Sequence, residues 1–313
     1  MTNNATVAVR TQDEHDQAAP SRLKSAARQL GVVWSNTKAR IGIIILAVFV
    51  LVAIAAPLLA PYGASQNGFP RSQDATGAHW MGTTAAGEDV LSQIIYGARI
   101  SVMVGAVAGI LSTLVAVAIG LSWGYVRGWI AEVIGFIVNL FLVIPGLPLM
   151  IVIAAYLQNG GIAVIIAVIV VTGWAWGARV LRSQTQSLRG RDFVTAAQFS
   201  GEGATRIVFR EILPNMTSLI VGSFFGAATS AILAEAGLEF LGLGDSSIVS
   251  WGTILYWAQN SNALLTGQWI LLFAPGLCIA LLAMSLTLIN FGVDAVSNPR
   301  LREGARRKKE KTA

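Results

Sequence analysis

Between Glu132 and Arg179 the chain runs 46 residues without an Asp, Glu, Lys or Arg. Only a bilayer, or the interior of a bundle inside one, accommodates so long an uncharged block. A membrane-crossing helix needs about 20 apolar residues and satisfies its backbone groups internally. The block is therefore too long for one helix, and Gln158 to Gly161 (QNGG) divides it into a third and a fourth span. The other candidate spans are Ile41 to Ala60, about Ser101 to Val126, about Met216 to Ala236, and about Trp269 to Phe291. Pro145 and Pro148 interrupt the third span, which predicts that it packs inside the bundle, where neighbours satisfy the freed carbonyls. Composition agrees: mean hydropathy is +0.64 and charged residues make up 12%, against roughly a quarter in soluble domains.

The formal charge of +6 on 313 residues raises the question of nucleic acid. The placement of the charges answers it. Twenty of the 22 Lys and Arg fall in residues 1–40, at Arg127, in the Arg179 to Asn215 connection and in the C-terminal tail, leaving only Arg71 and Arg99 on the opposite side. This asymmetry predicts six spans with both termini cytoplasmic, and it explains the basic balance by membrane topology, with no nucleic acid partner. A lone cysteine, Cys278, lies in an apolar run and is read as packing. Forty mostly polar residues precede the first span, so it is expected to be a start-transfer helix rather than a cleaved signal. Residues 1–20 are expected to be a disordered tail, and 21–40 an amphipathic helix on the cytoplasmic membrane face carrying Leu23, Ala27, Leu30 and Trp34. Residues 41–295 form the six-helix domain and 296–313 a basic tail.

One segment breaks the apolar pattern. "DFVTAAQFSGEGATRIVFREILPN", Asp192 to Asn215, is charged and glycine-broken. Asp192 is expected to cap a short helix ended by Gly201 and Gly203. A second helix starts near Ala204 and stops before Pro214, and Asn215 caps the fifth span. Ala204, Ile207 and Val208 share one face of the second helix, Arg206 and Arg210 the other; Ala196, Ala197 and Ser200 form a small-residue face on the first. A connection of this length is a folded cytoplasmic knob on which a soluble partner can act, or a loop helix resting on its own bundle.

The spacing of the knob resembles the EAA loop of ABC-importer permeases. Thr195-Ala196-Ala197 is followed after three residues by Gly201 and after nine more by Glu211-Ile212-Leu213-Pro214, with Thr195 and Glu211 departing from the pattern. "MGTTAAGEDVLSQIIYGARIS" is similar to a signature of the dipeptide, oligopeptide and nickel permease group, matching it at Gly82, Thr83, Gly87, Asp89, Ser92, Gly97, Ala98, Arg99 and Ser101. "AILAEAGLEFLGLG" and "SNPRLR" resemble that group's later signatures, and the whole is closest in pattern to its C-type subunit.

The resemblance implies an all-α polytopic membrane bundle of six transmembrane helices with type I ABC importer permease architecture. It implies a multi-pass subunit of the bacterial plasma membrane that works with a homologous second permease, two ATPase subunits or one fused ATPase, and an external solute-binding protein. The coupling loop, 180–215, would engage the ATPase through Ala196, Ala197, Gly201, Glu202, Gly203, Arg206, Arg210 and Pro214. The chain has no G-x-x-x-x-G-K-[ST] phosphate loop, so it is expected to be no enzyme and to bind no cofactor itself, with ATP and Mg held by the partners. Di- and oligopeptides are the expected solutes; oligosaccharides and nickel remain open, as does a self-contained secondary carrier or scaffold, although no span centre carries a charge for a proton relay.

Other residues receive plainer readings. Glu235 and Glu239, a candidate gate, are read preferentially as a helix end meeting water, with Glu235 bonded to the external cap. Gly105 and Gly109, and Gly120, Gly124 and Gly128, permit close helix crossing. Trp251, Tyr256, Trp257 and Trp269 are read as an interfacial belt, and His15 and His79 as isolated, with no metal-ligand spacing.

Overall fold

The computed structural model describes residues 34, 36–157 and 161–297, with side chains to 293. The expected tail 1–20, most of the surface helix 21–40, all but the first two residues of the basic tail 296–313 with nearly all of the SNPRLR signature, and most of the QNGG divider lie outside the described residues.

Helix α1 (Thr37–Leu59) begins four residues earlier than the apolar run because Asn36 caps it, its side-chain oxygen accepting from the backbone of Lys38 at 3.0 Å. Helix α2 (Val90–Tyr125) is 36 residues long, about 54 Å at 1.5 Å per residue, so it extends well beyond the roughly 30 Å hydrocarbon layer. Asp89 caps it, accepting from the Ser92 backbone N–H at 2.8 Å. Then follow α3 (Trp129–Val143), α4 (Gly146–Tyr156) and α5 (Gly161–Arg189). The chain next forms α6 (Asp192–Phe199), α7 (Ala204–Ile207), a π turn (Val208–Ile212), a 3-10 turn (Leu213–Met216) and α8 (Thr217–Phe240). Helices α9 (Trp251–Asn260) and α10 (Ile270–Ser297) complete the described chain. Among the described residues five stretches are long and apolar enough to cross a membrane, six if the bent α3–α4 pair counts as one. Among the described residues there is no strand, only an isolated bridge between Thr83 and Asp89.

Helix α2 occupies the centre, packed on α5 along one side and on α8 along another, while α10 packs against α8 and α1. Its glycines make these approaches possible. A Cβ at Gly105 would lie 2.5 Å from Ile232, and one at Gly109 2.8 Å from Ala228, both on α8. One at Gly124 would lie 2.5 Å from Thr185 on α5. The four-residue glycine spacing thus marks true crossings, whereas Gly128 has open space around it and a φ of +72° that serves the turn into α3.

The third span differs from expectation. Its two halves meet at 89°. Pro145 excludes its predecessor from helical geometry, and Ile144 is accordingly extended, with ψ of 127°. The pair is not sequestered inside the bundle: Gly135 and Val138 are the buried residues of α3 and Ala154 that of α4, while Trp129, Phe136, Val143 and Tyr156 are exposed. In an isolated chain an apolar surface of this kind is one for lipid or a further membrane subunit.

Candidate functional site

Helices α6 and α7 stand at the end of the bundle where α2 ends and α3 begins. Just before them Arg189, the last residue of α5, joins α5 to that end by donating to the carbonyls of Gly124, Tyr125 and Val126 at 3.2, 2.8 and 3.4 Å. Val194 of α6 and Ile207 of α7 are buried in a cluster with Leu121, Trp123, Leu181 and Met216. Two apolar pegs therefore seat the knob. Gly201, with φ of +80°, makes the reversal, and the N–H of Glu202 returns to the carbonyl of Ala197 at 3.1 Å. Gly203 has φ of −70° and leads into α7. Glu202 Oε1 pairs with Arg206 Nε at 3.1 Å, one helical turn apart.

The outward face of the knob carries Thr195, Ala196, Ser200, Arg206 and Arg210, together with two phenylalanines that sequence reasoning passed over. Phe199 is 89% exposed and Phe209 is also exposed. Ala197 is half-buried, and of Ala204, Ile207 and Val208, expected to share one face, Ile207 is buried, Val208 half-buried and Ala204 exposed. A fully exposed phenylalanine at the tip of a polar connection is a mark of a contact surface.

Three local expectations are corrected here. Asp192 is the first residue of α6 rather than its cap; Arg191 holds the cap position without a side-chain bond, and Asp192 instead adds negative charge to the first turn. The second knob helix does not stop at Leu213, whose φ of −55° and ψ of −45° are helical. The π turn widens the backbone ahead of Pro214 and the 3-10 turn tightens it again, so the proline is passed and helical dihedrals are left only at Met216, with φ of −111° and ψ of 3°. Asn215 does not cap α8; its amide donates to the carbonyl of Glu211 at 2.7 Å.

At the opposite end the family-motif residues Gly82, Thr83, Gly87 and Asp89 build a compact cap. Gly82 and Gly87 have positive φ and admit backbone oxygens of Gln73 and Phe69 where a side chain would stand. The Thr83 hydroxyl donates to Pro70 O at 2.5 Å and accepts from Gln73 N at 3.0 Å. His79 is not isolated: its Nδ1 lies 2.9 Å from Asp89 Oδ1, and its ring packs with Tyr62 and Phe69. Arg99 stands apart, exposed further along α2 in a groove with Tyr96 and Ile248.

Glu235 and Glu239, near the cap end of α8, do not meet water. They are 0% and 2% exposed. The Ser101 hydroxyl of α2 reaches both oxygens of Glu235 at 3.3 Å, and the Ser250 hydroxyl, which caps α9, donates to Glu239 Oε2. Neither carboxyl forms an ion pair among the described residues. Gly252 permits this closeness, since a Cβ there would lie 2.7 Å from that of Glu239. The pair therefore joins α2, α8 and α9. Trp251 also leaves the expected belt: it is buried against Gly97 and Phe49, its N–H donating to Ile94 O at 3.0 Å, while Trp257 and Trp269 remain exposed. Helix α9 was not foreseen, although Ser250 and Thr253 three apart form a capping box that the sequence displays.

Between these two ends α2, α5 and α8 leave a cavity of about 430 Å³. Ser112, Thr113, Gly173, Trp176, Ser223 and Ser230 are on its wall, which has no charged side chain.

This layout matches a known kind of protein. Residues 116–303 match the family model for the binding-protein-dependent transport system inner membrane component, and residues 33–75 that for the N-terminal TM domain of oligopeptide transport permease C. The dipeptide transport system permease protein DppC of Alkalihalophilus pseudofirmus is 35% identical over 92% of this chain and 93% of its own length. The oligopeptide transport system permease protein OppC of Bacillus subtilis is 32% identical over 86% and 88% respectively, and OppC of Mycobacterium tuberculosis 31% over 90% and 99%. The chain belongs to the binding-protein-dependent transport system inner membrane component family, as a multi-pass permease of an ABC transporter.

Proposed function

We propose that this chain is one of two membrane subunits of an ATP-driven importer of di- and oligopeptides. The solute class rests on the names of its relatives, which are dipeptide and oligopeptide permeases. The observation that carries the mechanism is the knob: two short helices reversed at Gly201, seated by Val194 and Ile207 and presenting Phe199 and Phe209 outward.

In this reading the knob lies in the cytoplasm with both termini and inserts into a groove on a partner ATPase, which binds ATP and Mg. Ala196, Ala197 and Ser200 allow close approach, Arg206 and Arg210 supply charge, and Pro214 marks the joint to α8. The cap built on Gly82, Thr83, Gly87 and Asp89 faces outward and receives solute from a binding protein, with Arg99 beside it. Closure of the ATPase pair moves the knobs, and the bundles of this chain and its second permease swing between inward-facing and outward-facing states. The uncharged, hydroxyl-bearing cavity between α2, α5 and α8 is this subunit's share of the solute path. Such a wall does not discriminate side-chain charge, so selectivity rests with the binding protein. Glu235 and Glu239 act as a gate by holding α2, α8 and α9 together in one of the two states.

The test is a single-cysteine cross-link in the assembled transporter. Ser200→Cys is expected to capture an ATPase subunit, and Ser247→Cys, at the opposite end, is not. Capture through Ser247→Cys, or peptide transport by this chain alone, refutes the reading.

A further inference from the structure

Where α2, α3 and α5 meet near the knob, a pocket of about 280 Å³ is lined by Trp123, Glu132, Gly135, Phe136, Asn139 and Arg182. The Arg182 guanidinium lies 3.8 Å above the Trp123 ring, and its Nε is buried without a hydrogen-bond acceptor. The residue itself is half-buried, but a buried N–H left unpaired is costly unless an acceptor arrives. The indole cannot supply one in the guanidinium plane, and its own N–H donates to Ala131 O at 2.8 Å. Gly135 is what lets α3 close over the ring, since a Cβ there would lie 2.9 Å from it. Arg179, one turn earlier on α5, donates to Asn139 at 2.5 Å and so brings a second positive charge to the rim. Glu132 lines the pocket but is within ion-pair distance of neither arginine; the two ion pairs among the described residues lie elsewhere.

Depth completes the argument. Counting from Gly161 at 1.5 Å per residue, Arg179 and Arg182 lie about 27 and 31 Å along α5, one hydrocarbon thickness from its far end. They stand at the membrane boundary, beside the exposed apolar face of α3 that includes Ile137 and Leu140. Arginine pairs at that depth match the phosphate of an anionic headgroup.

We propose that this pocket binds a phosphate group, presented by an anionic phospholipid whose chains lie along α3, or by free phosphate. Arg182 donates Nε to a phosphate oxygen while stacked on Trp123, and Arg179 adds a second positive charge at the rim. The inference is independent of the solute and of the ATPase contact.

The full-length chain, purified in mild detergent, is challenged with labelled phosphatidylglycerol, with phosphatidylcholine, and separately with sodium phosphate. Retention of phosphatidylglycerol over phosphatidylcholine is expected, falling about tenfold in Arg182→Gln, falling less in Arg182→Lys, which keeps the charge but not the stacked Nε, and unchanged in Arg210→Gln. Full displacement by millimolar phosphate supports the site with the soluble ion as its source. If Arg182→Gln does not accumulate, Arg179→Gln is read in its place. Equal retention of both lipids with no phosphate binding, or wild-type preference in the glutamine variants, overturns the proposal.

Discussion

Replacing Gly201 isolates the contribution of knob shape from that of knob folding. Its φ is +80°, and a Cβ built there meets nothing within 4 Å, so alanine brings no clash. What remains is the backbone penalty of the left-handed region, roughly 1–2 kcal/mol for a residue with a Cβ. Against it stand the seats at Val194 and Ile207, both buried, each worth about 1.5–3 kcal/mol. The seats exceed the penalty, so the knob stays docked and the chain inserts normally, while the native reversal loses population by a factor of roughly 5–30. In the reconstituted transporter, solute-stimulated ATP hydrolysis is expected to fall several-fold in Gly201→Ala and further in Gly201→Val, whose branched side chain tolerates this region least. Gly201→Asn, which visits the region readily, should lie near wild type. Gly203 supplies the control: its surroundings are also open, but its φ is −70°, so Gly203→Ala should change little. Equal effects of alanine at both positions, or undiminished coupling in Gly201→Val, would show the reasoning to be wrong.

Other parts of the molecule give sharper stability readings. Gly124→Ala places a Cβ 2.5 Å from Thr185 and should destabilise the α2–α5 crossing by about 1–3 kcal/mol, visible as a lowered midpoint in a thermal melt in detergent; Gly128→Ala lacks that clash and carries only the backbone penalty. Trp251→Phe removes the bond to Ile94 O and should lower stability by about 1 kcal/mol or somewhat more, whereas Trp257→Phe at the exposed site should be nearly silent in the same melt. Glu235→Leu leaves the buried Ser101 hydroxyl without its partner, a loss of about 1–3 kcal/mol, and the double variant with Ser101→Ala should recover part of it; a purely additive double variant refutes the contact. Asp89→Ala removes both the α2 cap and the His79 partner and should cost about 1–2 kcal/mol, read as faster protease cleavage within residues 60–89.

The apolar spans were legible because bilayer thickness imposes a length that composition alone reveals, but their ends were not: the second span is expected from about Ser101, and its helix begins eleven residues earlier at Val90, where Asp89 caps it. Gly201 was legible for a different reason: a glycine between two short periodic runs has few other uses. The glycines of α2 were visible, but which of them face a neighbour depends on where α5 and α8 lie, and Gly128 shares the spacing without the contact. Glu235 and Glu239 stand before Gly242 and Gly244 and so look like a helix end in water, but Ser101, 134 positions away from Glu235 in sequence, folds over Glu235, and Ser250 over Glu239. Trp251 was misplaced in the same way: an aromatic near an interface and one filling a gap over Gly97 have identical local sequence. The passage through Pro214 was missed because the rule against helix before proline assumes an α ladder, and a π turn followed by a 3-10 turn evades it.

That passage has a mechanical meaning. Ala204 to Phe240 runs on as one apolar stretch of 37 residues, about 55 Å at 1.5 Å per residue, leaving helical dihedrals at Met216. One tip is the knob, and the other holds the carboxyl pair against α2 and α9. Over that length each degree of tilt of the whole stretch moves its far end by about 1 Å, which is the scale of the contact between Glu235 and Ser101.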